Sequence, residues 1–89
     1  MPELIFTIKN KVGLHARPAS LFVREAVKFQ SNITVLHGEK QANAKSILNV
    51  LALGVNQGAQ ITLRAEGPDA ELALQALQTL IETNFGEAE

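Results

Sequence analysis

There is no cysteine in this chain, no tryptophan and no tyrosine. The first absence rules out a disulfide framework and a thiolate metal site, so the fold makes no demand for an oxidising compartment. The other two leave four phenylalanines as the only aromatic residues. With a net charge of only −1, no basic helix and no Trp or Tyr for base stacking, nucleic acid is not an expected partner. Long apolar runs are missing too. Nothing approaches the ~18 residues of a membrane span, and Met1-Pro2-Glu3-Leu4 lacks the basic start and apolar stretch of a signal peptide. The expectation is a cytoplasmic protein with no membrane insertion.

Basic residues are lacking from the last quarter of the chain. All eight Lys and Arg lie within residues 1–64 against three acids, a net of +5, whereas residues 65–89 hold six acids and no base. Such segregation either steers acidic partners towards one part of the surface or is a solvated surface whose charges happen to separate. What is abundant is small and aliphatic. Of 89 residues, 46% are hydrophobic, enough for one modest core built mainly from Leu, Ile, Val and Ala.

The pattern alternates between two periods. Leu4, Phe6 and Ile8 alternate with Glu3, Ile5, Thr7 and Lys9 as in a strand with one buried face. From about Ala16 to Phe29, the residues Ala19, Phe22, Val23 and Ala26 form a helical core stripe, with Arg24 and Lys28 off it. Period two resumes at Ile33 and Val35, and His37-Gly38-Glu39 reads as a hairpin turn into Lys40 to Asn43. Ser46 suits the N-cap of a short helix to about Leu53, stopped by Gly54. A strand through Ile61, Leu63 and Ala65 follows. Gly67-Pro68-Asp69 then introduces a final helix with Ala70, Ala73, Leu74, Leu77, Leu80 and Ile81 inside. The order β-α-β-β-α-β-α predicts an α+β fold: an open-faced β-sandwich, a four-stranded, mostly antiparallel sheet covered on one face by three helices. Residues 1–86 make one domain and 87–89 a loose tail.

The most informative residues are Gly13-Leu14-His15-Ala16-Arg17-Pro18-Ala19-Ser20. Pro18 belongs in the first turn of a helix, where its missing N–H would have been an orphan anyway. That places His15 beside a helix N-terminus, where free backbone N–H groups at Ala16 and Arg17 and the positive end of the dipole receive anions. Histidine titrates nearest to neutral pH and can keep one ring nitrogen as a nucleophile while the other is held by a hydrogen bond. Arg17 adds a permanent planar cation for phosphate oxygens. Together these point to phosphoryl transfer on His15. The plain alternative is a turn or surface histidine.

The run Gly13 to Ser20 resembles the active-site signature of the HPr family, the histidine-containing phosphocarriers of the bacterial phosphoenolpyruvate-dependent sugar phosphotransferase system. A second stretch, Ala44-Lys45-Ser46-Ile47-Leu48 through Leu53-Gly54, is similar to that family's regulatory serine and the short helix after it. The resemblance covers essentially all of residues 1 to 86. It implies the same open-faced fold, a monomer without metal or cofactor, and a cycle in which the δ1 nitrogen of His15 takes a phosphoryl group from phosphorylated enzyme I and gives it to a sugar-specific enzyme IIA domain. The protein would then be a covalent intermediate in a phosphotransferase chain rather than an enzyme. For Ser46 the resemblance implies phosphorylation by a serine kinase in some lineages, followed by binding of a transcription regulator in carbon catabolite repression. The alternative is a serine that only caps its helix.

Partners need a surface. Leu14, Ile47, Leu48 and Leu51 are apolar residues that a small core does not obviously absorb, and Arg17, Ser20 and Arg24 ring them as a docking patch. Val50 and Leu53 read as core, and for Leu14, Ile47, Leu48 and Leu51 core packing is the competing role. Val12, just before the motif, is a further position where partner affinity could be tuned. His37 has no ligand-spaced companion, so a turn role is expected for it; Glu82, Glu87 and Glu89 read as solvating charge. Two rival functions stay open: a regulatory module acting only through Ser46, and a small autonomous enzyme using His15 as acid or base. The second lacks a further catalytic group at credible spacing.

Overall fold

The computed structural model describes residues 2–86. The alternating segments pair as four strands, β1 (Glu3–Thr7), β2 (Asn32–His37), β3 (Lys40–Asn43) and β4 (Gln60–Glu66), in the sheet order β1-β4-β2-β3. Every neighbouring pair is antiparallel. Period two puts Ile33, Val35, Ile61, Leu63 and Ala65 on one face, all buried, while Ile5, Thr34, Thr62 and Arg64 line the other. On this open face Arg64 pairs in register with Glu3, and their side chains meet at 2.6 Å. Such an exposed ion pair contributes about 0–1 kcal/mol. The β2–β3 hairpin turns on two residues, Gly38 and Glu39, with Gly38 at φ +61°, as tight hairpins require at that position. His37 is therefore the last residue of β2, paired with Lys40, rather than part of the turn itself.

Three helices cover the buried face: α1 (Ala16–Ala26), α2 (Ile47–Ala52) and α3 (Ala70–Glu82). Their inner stripes bring Phe22, Val50 and Leu77 into contact with the sheet residues in one continuous core. Burying each such side chain stabilises the fold by roughly 1.5–3 kcal/mol. α1 stops at Ala26, three residues short of the periodic pattern. Beyond it Lys28 N–H donates to Glu25 O and Phe29 N–H to Ala26 O, so the chain tightens into i to i−3 turns before leaving the helix. Lys45 Nζ reaches the free carbonyl of Phe29 at 2.6 Å.

The chain after α3 departs from expectation. Asn84 and Phe85 take left-handed φ of 54° and 57°, hooking the backbone so that Phe85 returns to the core at 2% exposure. A polar Thr83-Asn84 step after a helix gives no pattern from which that burial could be read. The expected tail at residues 87–89 lies outside the described residues. Among the described residues no helix is long and apolar enough to cross a membrane.

Candidate functional site

Three segments meet at the start of α1. The first is the loop Lys9 to Leu14, which leaves β1 and carries Gly13 at φ +60°. The second is the first turn of α1. The third is the loop Val55 to Gly58 that enters β4. Main-chain bonds stitch the first to the third: Leu14 N–H donates to Val55 O at 2.9 Å, Gly58 N–H to Ile8 O at 2.7 Å and Ile8 N–H to Ala59 O at 2.8 Å. Gly13 is required here for two reasons. Its φ is one that L side chains rarely adopt, and a Cβ would collide with the Val55 carbonyl oxygen and lie 2.7 Å from Asn56 Cα. The Gly13 carbonyl is held in turn by the buried Asn10 amide at 2.8 Å.

His15 is the N-cap of α1, with φ −87° and ψ −164°, and its carbonyl accepts the first helical hydrogen bond from Ala19 N–H at 2.8 Å. The cap is made by backbone alone, leaving the imidazole exposed and the N–H groups of Ala16 and Arg17 without intrahelical partners. Pro18, third in the helix and buried, has no N–H to satisfy. Arg17 is exposed, and no other described residue pairs with its guanidinium. His15 Nε2 lies 3.2 Å from Asn56 Oδ1. A carbonyl oxygen only accepts, so this contact is a hydrogen bond when Nε2 carries the ring proton, the tautomer that leaves Nδ1 bare. Asn56 was not singled out from the sequence. It sits 41 residues from His15, in a loop with no motif, and only the packing of Gly13 against Val55 brings it there.

Of the expected docking residues, Arg17, Ser20 and Arg24 are exposed along α1. On α2, Leu48 is 75% exposed, with Ile47 and Leu51 partly so; a six-residue helix turns only one side towards the core, so its four large apolar side chains are not all buried. Leu14 is a correction. It is 2% exposed and belongs to the core, because the hydrogen bond from its N–H to Val55 turns its side chain inward, so it forms no part of a surface patch. Val50 and Leu53 are core, as expected. Val12 is exposed.

Ser46 caps α2 as its position predicts: Asn49 N–H donates to Ser46 Oγ at 3.3 Å. His37 Nδ1 donates to the Leu53 carbonyl at 3.1 Å, pinning the end of α2 to the hairpin. This is a structural contact, remote in kind from the capped, exposed arrangement of His15.

Known proteins bear on this geometry. Residues 3–83 match the family model described as the PTS HPr component phosphorylation site. A phosphocarrier protein HPr from Mycoplasma capricolum is 56% identical over 84 residues, covering 93% of this chain and 94% of that protein. The crystal structure of HPr from Thermoanaerobacter tengcongensis is 54% identical and superposes with a TM-score of 0.97 over all of both chains. Crh, the Bacillus subtilis catabolite repression protein whose structure is described as a swapped dimer, is 38% identical with a TM-score of 0.75 over 94% of this chain and 97% of its own. An open-faced sheet under three helices, with an exposed histidine capping the first of them, is thus joined to a family match over nearly the whole sequence: the chain belongs to the HPr family of the phosphotransferase system.

Proposed function

We propose that this protein carries a phosphoryl group on Nδ1 of His15, taking it from phosphorylated enzyme I and passing it to sugar-specific enzyme IIA domains, in the cytoplasm and as a monomer. The observation that carries this reading is the exposed imidazole at the N-cap of α1, with Nε2 occupied by Asn56 and two free amides beside it. The Nδ1 lone pair forms the N–P bond as the donor's bond to phosphorus breaks and its electron pair leaves with the donor. The amides of Ala16 and Arg17 and the Arg17 guanidinium receive the phosphoryl oxygens. No metal or cofactor is required for the step. Moderate stabilisation suits a carrier, because a tight clamp would trap the group instead of releasing it. Leu48, Ile47 and Leu51, with Arg17, Ser20 and Arg24, supply an apolar patch with a basic rim for partners. The protein has no turnover of its own in this reading.

The test is phosphorus NMR after incubation with phosphoenolpyruvate and enzyme I. One acid-labile phosphohistidine per chain is expected, and none in His15→Ala. Labelling that persists in that variant would refute the reading.

A second role rests on Ser46, at the start of α2. Phosphorylation by a serine kinase would set negative charge beside the docking patch, opposing an acidic partner while offering a transcription regulator a new contact. The likeness to Crh, described as a catabolite repression protein, favours this role. Incubation with ATP and such a kinase is expected to give an acid-stable phosphoserine, absent in Ser46→Ala.

A further inference from the structure

We propose that Asn56 is the positioning residue of the phosphoryl acceptor: its side-chain oxygen fixes the imidazole of His15 in the tautomer that protonates Nε2 and bares Nδ1, and holds the ring plane at the mouth of α1. The consequence for transfer rests on the carrier reading; the tautomer itself does not.

A neutral imidazole has one proton for two nitrogens, and only the bare nitrogen can attack phosphorus. His15 Nε2 faces Asn56 Oδ1 at 3.2 Å. An amide turned the other way would present N–H, require a bare Nε2 and send the proton to Nδ1, which blocks attack. The loop that presents Asn56 is fixed at both ends. Val55 O is held by Leu14 N–H at 2.9 Å, and Ala59 N–H donates to Asn56 O at 3.0 Å. Gln57 Nε2 adds a bond to Lys9 O at 3.1 Å, so Val55 and Gln57, on either side of Asn56, grip the segment leading to His15. Gly13 sets the distance, since any side chain there would push Asn56 away.

During transfer Nδ1 gains the bond to phosphorus, the donor departs with the electron pair of the broken bond, and Nε2 keeps its proton. The positive charge that develops on the ring is then shared along the Nε2–H···Oδ1 bond, and because Nε2 keeps its proton the ring leaves as neutral imidazole, not as an anion, when the phosphoryl group moves on. Asn56 touches neither phosphorus nor its oxygens in this scheme. It acts through the imidazole.

The experiment is nitrogen-15 NMR of the imidazole in the unphosphorylated protein, at a pH above the ring's titration and without any partner. Wild type is expected to show a proton-bearing Nε2 and a bare Nδ1, with their shifts well separated. Asn56→Leu, of similar volume but with no acceptor, is expected to mix the tautomers by roughly two- to tenfold, the range that one exposed hydrogen bond supports. Asn56→Asp keeps an acceptor in the same place and is expected to restore the separation. Wild type with the proton on Nδ1, or Asn56→Leu with unchanged shifts, overturns the proposal. Phosphorylation by enzyme I is expected to slow in Asn56→Leu while still reaching one phosphoryl group per chain. If His15 accepts no phosphoryl group yet the nitrogen pattern responds as expected, the carrier reading fails and the positioning role stands.

Discussion

Asp69 caps the wrong segment in a useful way: instead of bonding its own helix, its carboxylate reaches Ser31, 38 residues away, with Oδ1 accepting from Ser31 N–H at 2.9 Å and from Ser31 Oγ at 2.5 Å. Oδ2 accepts from Gln30 N–H at 2.9 Å. The start of α3 is thereby tied to the turn between α1 and β2.

These donors, the Ser31 hydroxyl foremost and the Gln30 N–H next, hold the Asp69 carboxyl below its ordinary value of 3.8 against a smaller opposing effect of burial. Because the folded group is the stronger acid, its contribution to stability is present above that ordinary value and is lost as pH falls through the lowered one. Asp69→Asn is expected to melt at a lower temperature than wild type at pH 7, with the gap closing below pH 3.8. Thermal melts from pH 7 to pH 3 check this; a gap independent of pH would contradict it.

Replacing Gly13 by alanine should do more than a surface glycine change would. The left-handed φ alone costs about 1–2 kcal/mol, and the Cβ meets the main chain of Val55 and Asn56 rather than a flexible tip. Urea unfolding is expected to show a loss exceeding about 2 kcal/mol. Phosphorylation of His15 should be impaired even where the variant remains folded.

Leu14 and Leu48 make a contrasting pair. Leu14→Ala opens a hole in the core and is expected to cost about 2–5 kcal/mol. Leu48→Ala, at a site 75% exposed, is expected to change stability by no more than about 0.5 kcal/mol, yet to weaken binding of phosphorylated enzyme I. Calorimetry and denaturant unfolding separate the two effects.

Phe85→Ala removes a buried aromatic ring, which ordinarily costs about 3–5 kcal/mol. Here the lower end is expected. Releasing the hook also frees Phe85 from a left-handed conformation that costs about 1–2 kcal/mol, so the loss is capped by detachment. Hydrogen exchange should show early opening confined to the end of α3 and the turn after it.

What could be read from the sequence follows from range. The alternation of Ile33 and Val35, and of Ile61, Leu63 and Ala65, is a local signal, and it fixed the strands and their inward faces. The Ser46 cap and the Pro18 turn were legible because each depends on residues within three or four positions. Leu14 was misplaced because its orientation follows from a bond to Val55, 41 residues away along the chain. Asn56 was missed for the same reason: an asparagine in a loop looks like any turn residue until the fold sets it against His15. Phe85 needed a pair of positive φ angles that nothing in Thr83-Asn84 announces.

The bonds that join Leu14, Val55, Ile8 and Gly58 carry one consequence for recognition. Under the proposed carrier role, His15 is mounted on a braced corner instead of a swinging loop, so each client would meet the same local shape. Sockets of unlike architecture would then have to fit that one plug, and selectivity among them would be left to the sockets.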